Sequence, residues 1–174
     1  MMEKIVNNMR KNIILIGMPA SGKSTVGVIL AKVLGMDFLD TDIVIQQREG
    51  FRLNELIAKY GIDEFLRKEE QALLSVEAEN TVIATGGSAV YSDAAMKHLA
   101  SGSKVVYLRV LLDELEKRLN DIKDRGVVIR PDESIEEMYE KRSKLYEKYA
   151  DIIVMENGES IEDTVRAVKE EINK

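Results

Sequence analysis

One short segment limits the possible folds more than any other. Gly17-Met-Pro-Ala-Ser-Gly22-Lys23-Ser24, followed by Thr25, satisfies G-x-x-x-x-G-K-[S/T] at every fixed position. The apolar run Ile13–Ile16 leads directly into it. Beyond it Val26, Ile29, Leu30 and Val33 recur at i, i+3, i+4 and i+7, the spacing of one helical face. Strand, glycine-rich loop and helix in that order form a phosphate cradle. Gly17 and Gly22 lack Cβ atoms, so the N–H groups of Ala20, Ser21, Gly22, Lys23, Ser24 and Thr25 can turn inward toward phosphate oxygens. The helix N-terminus adds partial positive charge at the same place. Lys23 can reach the β- and γ-phosphates of ATP, and the Ser24 hydroxyl suits the octahedral oxygen shell of Mg²⁺.

The rest of the chain repeats this alternation. Asn12–Ile16, Asp37–Leu39, Thr81–Ala84, Lys104–Leu108 and Asp151–Met155 have strand length and apolar, β-branched content. Helical stripes run through Thr25–Leu34, Leu53–Tyr60, Glu64–Glu77, Leu112–Leu119, Ile135–Tyr149 and Ile161–Ile172. Such alternation predicts an α/β domain with a mostly parallel sheet covered on both faces, and ligands bind such sheets at the carboxyl ends of the strands. The 174 residues suit one domain over 1–174.

Composition narrows the partners. A net charge of −6 and a pI near 5.0 oppose nucleic-acid binding. The absence of cysteine removes disulfides, thiolate metal sites and thiol nucleophiles. The polar N-terminus and the lack of any run of 18 apolar residues predict a cytoplasmic chain without a membrane partner. The lone histidine, His98, in the helix-like stretch Tyr91–Ala100, is expected to serve the surface rather than catalysis.

Other candidate residues fall at strand ends. Phe38-Leu-Asp40-Thr-Asp42 places two acids at alternate positions, which strand geometry would point to one side. One can hold a water of the Mg²⁺ shell while the other orients the attacking hydroxyl, although Asp42 could also cap a helix. Thr85-Gly86-Gly87-Ser88 follows another strand and offers bare N–H donors to a ligand. Arg118 and Arg125 flank Leu119–Asp124, and a mobile arginine there could stabilise a phosphoryl-transfer transition state. Arg142 lies in a charged helical stretch, where the default is a solvated or i,i+4-paired face.

Taken together, these segments resemble the shikimate kinase family over roughly residues 11–172. Phe38-Leu-Asp40-Thr-Asp42-Ile is similar to its F-x-D-x-D segment, and Ile83-Ala-Thr-Gly86-Gly87-Ser88-Ala89 to its glycine triplet. Arg142-Ser-Lys-Leu-Tyr146-Glu-Lys-Tyr-Ala-Asp151 is similar to R-x-P-L-Y-x-x-x-A-D. The resemblance implies a three-layer P-loop NTPase fold with a five-stranded parallel sheet in the order 2-3-1-4-5. It also implies an acceptor-binding helical region at about 42–79, a mobile lid at about 120–132, and a monomer. Carried over, Lys23 and Ser24 bind ATP-Mg, Asp40 supports Mg²⁺ through water, and Asp42 binds acceptor hydroxyls. Gly86 and Gly87 line the acceptor site, Arg142 pairs with the acceptor carboxylate, Arg125 is the lid arginine, and Arg118 lies on the adenine side.

Three departures from the pattern matter. In G-E-x-x-F-R-x-x-E, aligned without gaps on Gly61–Glu69, the carboxylate-clamping arginine is replaced by Leu66, with Arg67 next to it. Losing half of such a clamp costs roughly 1.5–3 kcal/mol of binding. The glycine triplet ends in Ser88, which narrows the pocket or adds a hydroxyl donor. The R-P-L-L lid reads Arg125-Gly-Val-Val, with Arg130-Pro131 beyond. The leading expectation is ATP-dependent phosphorylation of shikimate. The alternatives are a related kinase for another small hydroxylated acid or polyol, and a nucleotide-binding module without turnover, which the retained Lys23, Ser24, Asp40 and Asp42 oppose.

Overall fold

A computed structural model describes residues 12–120, 126–156 and 160–174. Five parallel strands, β1 (Ile13–Ile16), β2 (Asp37–Asp40), β3 (Thr81–Ala84), β4 (Lys104–Val110) and β5 (Ile152–Glu156), form one sheet in the order β2-β3-β1-β4-β5. The helices are α1 (Lys23–Leu34), α2 (Thr41–Glu49), α3 (Leu53–Leu74), α4 (Asp93–Ala100), α5 (Leu112–Asn120), α6 (Ile135–Tyr149) and α7 (Ile161–Ile172). The sheet order matches the one the resemblance implies. The helical stretch expected over Leu53–Tyr60 and Glu64–Glu77 is one element broken at Gly61, whose φ of 79° leaves the helical region.

Alternation along the central strands builds two apolar layers. Ile14, Ile16, Ile83, Val105 and Tyr107 face a core completed by Leu73, Met96, Leu115, Met138 and Tyr146. Ile13, Leu15, Val82, Val106 and Leu108 face the opposite side, against Val26 and Leu30 of α1 and Val165 and Val168 of α7. A third cluster lies outside the sandwich: Ile45, Leu56, Phe65 and Ala72 enclose Val128. It joins α2 and α3 to the segment after Gly126, so one wall of the cleft has its own small core. His98 packs on a neighbouring loop, its Nε2 lying 2.8 Å from the Val76 carbonyl. Among the described residues, no helix is long and apolar enough to cross a membrane.

Candidate active site

The loop after β1 has the backbone its sequence requires. Gly17 has φ 151°, and a Cβ there would meet the Leu108 carbonyl oxygen at 2.5 Å. Ala20 also takes a left-handed φ of 62°, a strained conformation of the kind that gathers at ligand-binding turns. Four other helices, α2, α4, α6 and α7, begin with a side-chain cap from Asp40, Ser92, Ser134 and Ser160. Helix α1 begins at Gly22 and has no side-chain cap. Its first amides therefore stay open to an anionic ligand.

Lys23 is buried and folds back over the loop. Its Nζ donates to the carbonyls of Gly17 (2.9 Å) and Met18 (2.6 Å) and to Ser21 Oγ (3.2 Å). Burial pulls the ammonium down to about 8, with Asp42 and Asp40 opposing that shift. Next to it, Ser24 Oγ donates to Asp40 Oδ2 at 2.6 Å.

The two aspartates are arranged differently from the strand-based expectation. Strand β2 ends at Asp40, and Asp42 lies in the first turn of α2. The helix cap is Asp40, whose Oδ1 accepts from the Asp42 backbone N–H at 2.9 Å, and not Asp42. The Asp42 side chain is left free for the cleft. Burial pushes its carboxyl up to about 6, with Asp40 adding to the rise and Lys23 opposing it. It is therefore mostly ionised at neutral pH and close enough to its pKa to exchange a proton.

The glycine segment after β3 is held from three sides. Thr85 donates N–H and Oγ1 to the Leu15 carbonyl at 3.1 and 2.9 Å. Gly86 N–H donates to Thr41 Oγ1 at 3.2 Å, and Tyr146 donates to the Gly87 carbonyl at 2.6 Å. A Cβ on Gly87 would lie 2.8 Å from Pro19 Cδ, so this segment packs directly on the phosphate loop. A Cβ on Gly86 would lie 2.8 Å from both Asp42 Oδ1 and Glu69 Oε1. Gly86→Ala is therefore expected to displace both carboxyls. Turnover should fall at least tenfold, with a destabilisation of about 1–3 kcal/mol read by denaturant melts.

Arg142 departs most from the solvated default. It is 1% exposed; its Nε donates to Tyr91 OH at 2.9 Å, its Nη2 donates to the Val128 carbonyl, and its guanidinium lies over the Tyr91 ring. Arg118 ties the loop after β1 to the end of β5. It donates to Glu114 (2.9 Å) and to the Ala20 carbonyl of the loop (3.2 Å), and pairs with Glu156 at 2.5 Å. Leu66 does not line the cleft; it lines a separate cavity behind Glu69. Arg67 points outward and pairs with Glu64 at 3.0 Å, so it does not stand in for the missing arginine. Ser88 supplies a donor: its hydroxyl bonds to Glu69 Oε2 at 2.6 Å. Arg125 lies outside the described residues.

These groups converge on one cleft, whose walls include Lys23, Ser24, Thr25, Asp42, Gly86, Gly87 and Arg142. Val128 covers one side, and Arg130, beyond it, pairs with Asp63 at 2.6 Å. Phe65 and Glu69, the F and final E of the G-E-x-x-F-R-x-x-E segment, also line the cleft, and their i,i+4 spacing puts them on one helical face.

A sequence model of the shikimate kinase family matches residues 19–173. The shikimate kinase of Thermodesulfovibrio yellowstonii is 37% identical over 164 residues, 92% of this chain and 94% of that protein. Among solved structures, shikimate kinase from Aquifex aeolicus superposes with a TM-score of 0.79 at 32% identity, covering 93% of this chain and 96% of that one. Shikimate kinase from Acinetobacter baumannii in complex with shikimate gives a TM-score of 0.83 at 27% identity, covering 98% of this chain and 96% of that one.

Proposed function

The chain belongs to the shikimate kinase family, and from that premise we propose that its cleft transfers the γ-phosphoryl group of ATP to the 3-hydroxyl of shikimate. One observation carries this reading: the open amides of the phosphate loop, with Lys23, and the half-buried Asp42 border a single cleft. Phosphoryl transfer asks for positioning and charge stabilisation rather than covalent chemistry, and those two features supply both. The loop amides hold the phosphates. Lys23 exchanges its carbonyl partners for phosphate oxygens, and the added negative charge favours its ionised form. Asp42 accepts a hydrogen bond from the attacking hydroxyl, fixes its direction and takes its proton.

The Ser24–Asp40 contact at 2.6 Å puts two hard oxygen groups side by side next to the loop. Among the described residues there is no cluster of three metal-ligating side chains. That combination suits Mg²⁺, which is held by few protein ligands together with water and phosphate oxygens. Ser24 would ligate the ion and Asp40 would hold one of its waters; when bound, Mg²⁺ offsets charge on the transferring phosphoryl group. Arg142 serves the acceptor carboxylate, Gly86 and Gly87 let the acceptor ring approach the backbone, and Arg118 borders the base side. Arg125 receives the lid role from its place in the sequence. In this reading the chain acts as a single-domain cytoplasmic monomer, with its acceptor region at about 42–79 and its lid at about 120–132.

ADP release coupled to a spectrophotometric assay, run over shikimate and a panel of hydroxylated acids and polyols, tests the assignment. Turnover on shikimate is expected, and activity confined to another acceptor would overturn it. Leu66→Arg should lower the shikimate KM about tenfold, the worth of one hydrogen bond to a charge. An unchanged KM in the same assay would show that position 66 does not reach the acceptor carboxylate.

A further inference from the structure

Glu69 is a charged residue type placed in the interior with no ion-pair partner among the described residues. It is 2% exposed, it lines the cleft, and Oε1 has no hydrogen-bond partner among those residues. Its other oxygen accepts from Ser88 at 2.6 Å. The bare face of Gly86 is what makes room for it. Glu69 Oε1 and Asp42 Oδ1 each lie 2.8 Å from the point where a Cβ of Gly86 would stand, so the two oxygens are separated by at most twice that distance. Two ionised carboxylates so close in a half-dry cleft would repel each other strongly. One turn earlier on α3, Leu66 brings no cation to offset them.

We propose that Glu69 is a positioning residue for Asp42: it enters the reaction cycle with a proton on Oε1, and losing that proton weakens binding of the anionic acceptor. This rests on the shikimate reading of the cleft. While Glu69 is neutral, Asp42 is the only full negative charge over Gly86 and keeps its orientation toward the acceptor hydroxyl. When Glu69 ionises, a second charge pushes Asp42 aside and repels a carboxylate arriving at Arg142. Ser88 opposes the neutral state, since its hydroxyl favours a carboxylate. The ionisable groups around Glu69 are Asp42 on α2 with Lys23 beyond it, Arg142 on α6, Tyr91 after the glycine segment, and Arg67 and Glu70 on its own helix. Arg67 is engaged by Glu64, and Arg142 keeps its charge beside the neutral Tyr91 and Val128 groups but makes no hydrogen bond to Oε1 among the described residues. Burial pushes this carboxyl up to about 7; Ser88 and Arg142 oppose the rise, and Asp42 adds to it.

Two measurements on the full chain test the proposal. In steady-state kinetics with saturating ATP-Mg, the shikimate KM of the wild type should rise about tenfold between about pH 6 and pH 9, with kcat changing less. Glu69→Gln, permanently neutral, should keep a flat KM. Ser88→Ala removes a donor that favours the ionised form, so the rise should move to higher pH. It is also the second variant should Glu69→Gln fold poorly. The other measurement needs no substrate. A carboxyl whose pKa is raised by folding contributes fully below the ordinary glutamate range, and its share of stability is lost as the pH climbs through the folded value. The wild-type melting temperature should therefore fall relative to that of Glu69→Gln between about pH 5 and pH 8. A KM that rises alike in wild type and Glu69→Gln, or a melting difference that ignores pH, would overturn the proposal. A wild type with no turnover on shikimate would overturn the substrate reading instead, and the melting comparison would still decide whether Glu69 holds its proton.

Discussion

Exchanging Lys23 for alanine is expected to lower turnover at saturating ATP by about a thousandfold, the scale of removing a charged group from a phosphoryl-transfer site. The free enzyme already commits this ammonium to the Gly17 and Met18 carbonyls and to Ser21. The residue thus shapes the loop itself, beside the phosphate role proposed for it. Stability should respond in the opposite sense from activity. A lysine whose pKa is lowered by folding carries a penalty below its folded value, here about 8, and the penalty fades as pH rises toward the ordinary lysine range. Lys23→Ala should therefore melt no lower than the wild type at neutral pH, and any advantage should shrink as the pH rises from about 8 and be gone above about pH 10. Turnover within tenfold of the wild type would remove the phosphate role from this loop.

Asp42→Asn is expected to lower kcat by about 10²- to 10⁴-fold, the usual span for a general base, while the KM for ATP stays within about twofold, because the role proposed for Asp42 is on the acceptor and not the nucleotide. The pH profile adds a second check. The wild-type kcat/KM for shikimate should fall as the medium is acidified through about 6, the value to which burial raises the Asp42 carboxyl. The asparagine variant should lose that limb. A kcat near wild type would reduce Asp42 to a structural acid in the first turn of α2, and an acid limb that survives in the Asp42→Asn variant would move the base elsewhere.

The parts of this molecule that could be read from sequence are those whose geometry is local. The phosphate loop is contiguous, and its flanking periodicities switch within a few residues, so loop, strand and helix follow together. Ile135–Tyr149 and Ile161–Ile172 begin after Ser134 and Ser160, both of which cap in the structure, and their expected bounds match. Asp40 and Asp42 were harder. Strand and helix meet between them, and a period of two no longer applies once Thr41 starts a helix. Arg142 was misleading for another reason. Its helix is charged and its default is solvent, yet its partners, Tyr91 and the Val128 carbonyl, lie far along the chain. Glu69 matches the last acid of G-E-x-x-F-R-x-x-E, but the match alone assigns it no role. It is one acid among several in α3, and its importance comes from Ser88 and Gly86, which only the folded sheet brings beside it.

The most direct test of the central claim follows the transferred phosphorus itself. Phosphorus-31 spectra of the purified chain with ATP-Mg and shikimate should show the γ-resonance replaced by a phosphomonoester, in step with ADP and only when shikimate is present. ADP accumulating with inorganic phosphate at the same rate with or without shikimate would contradict the account.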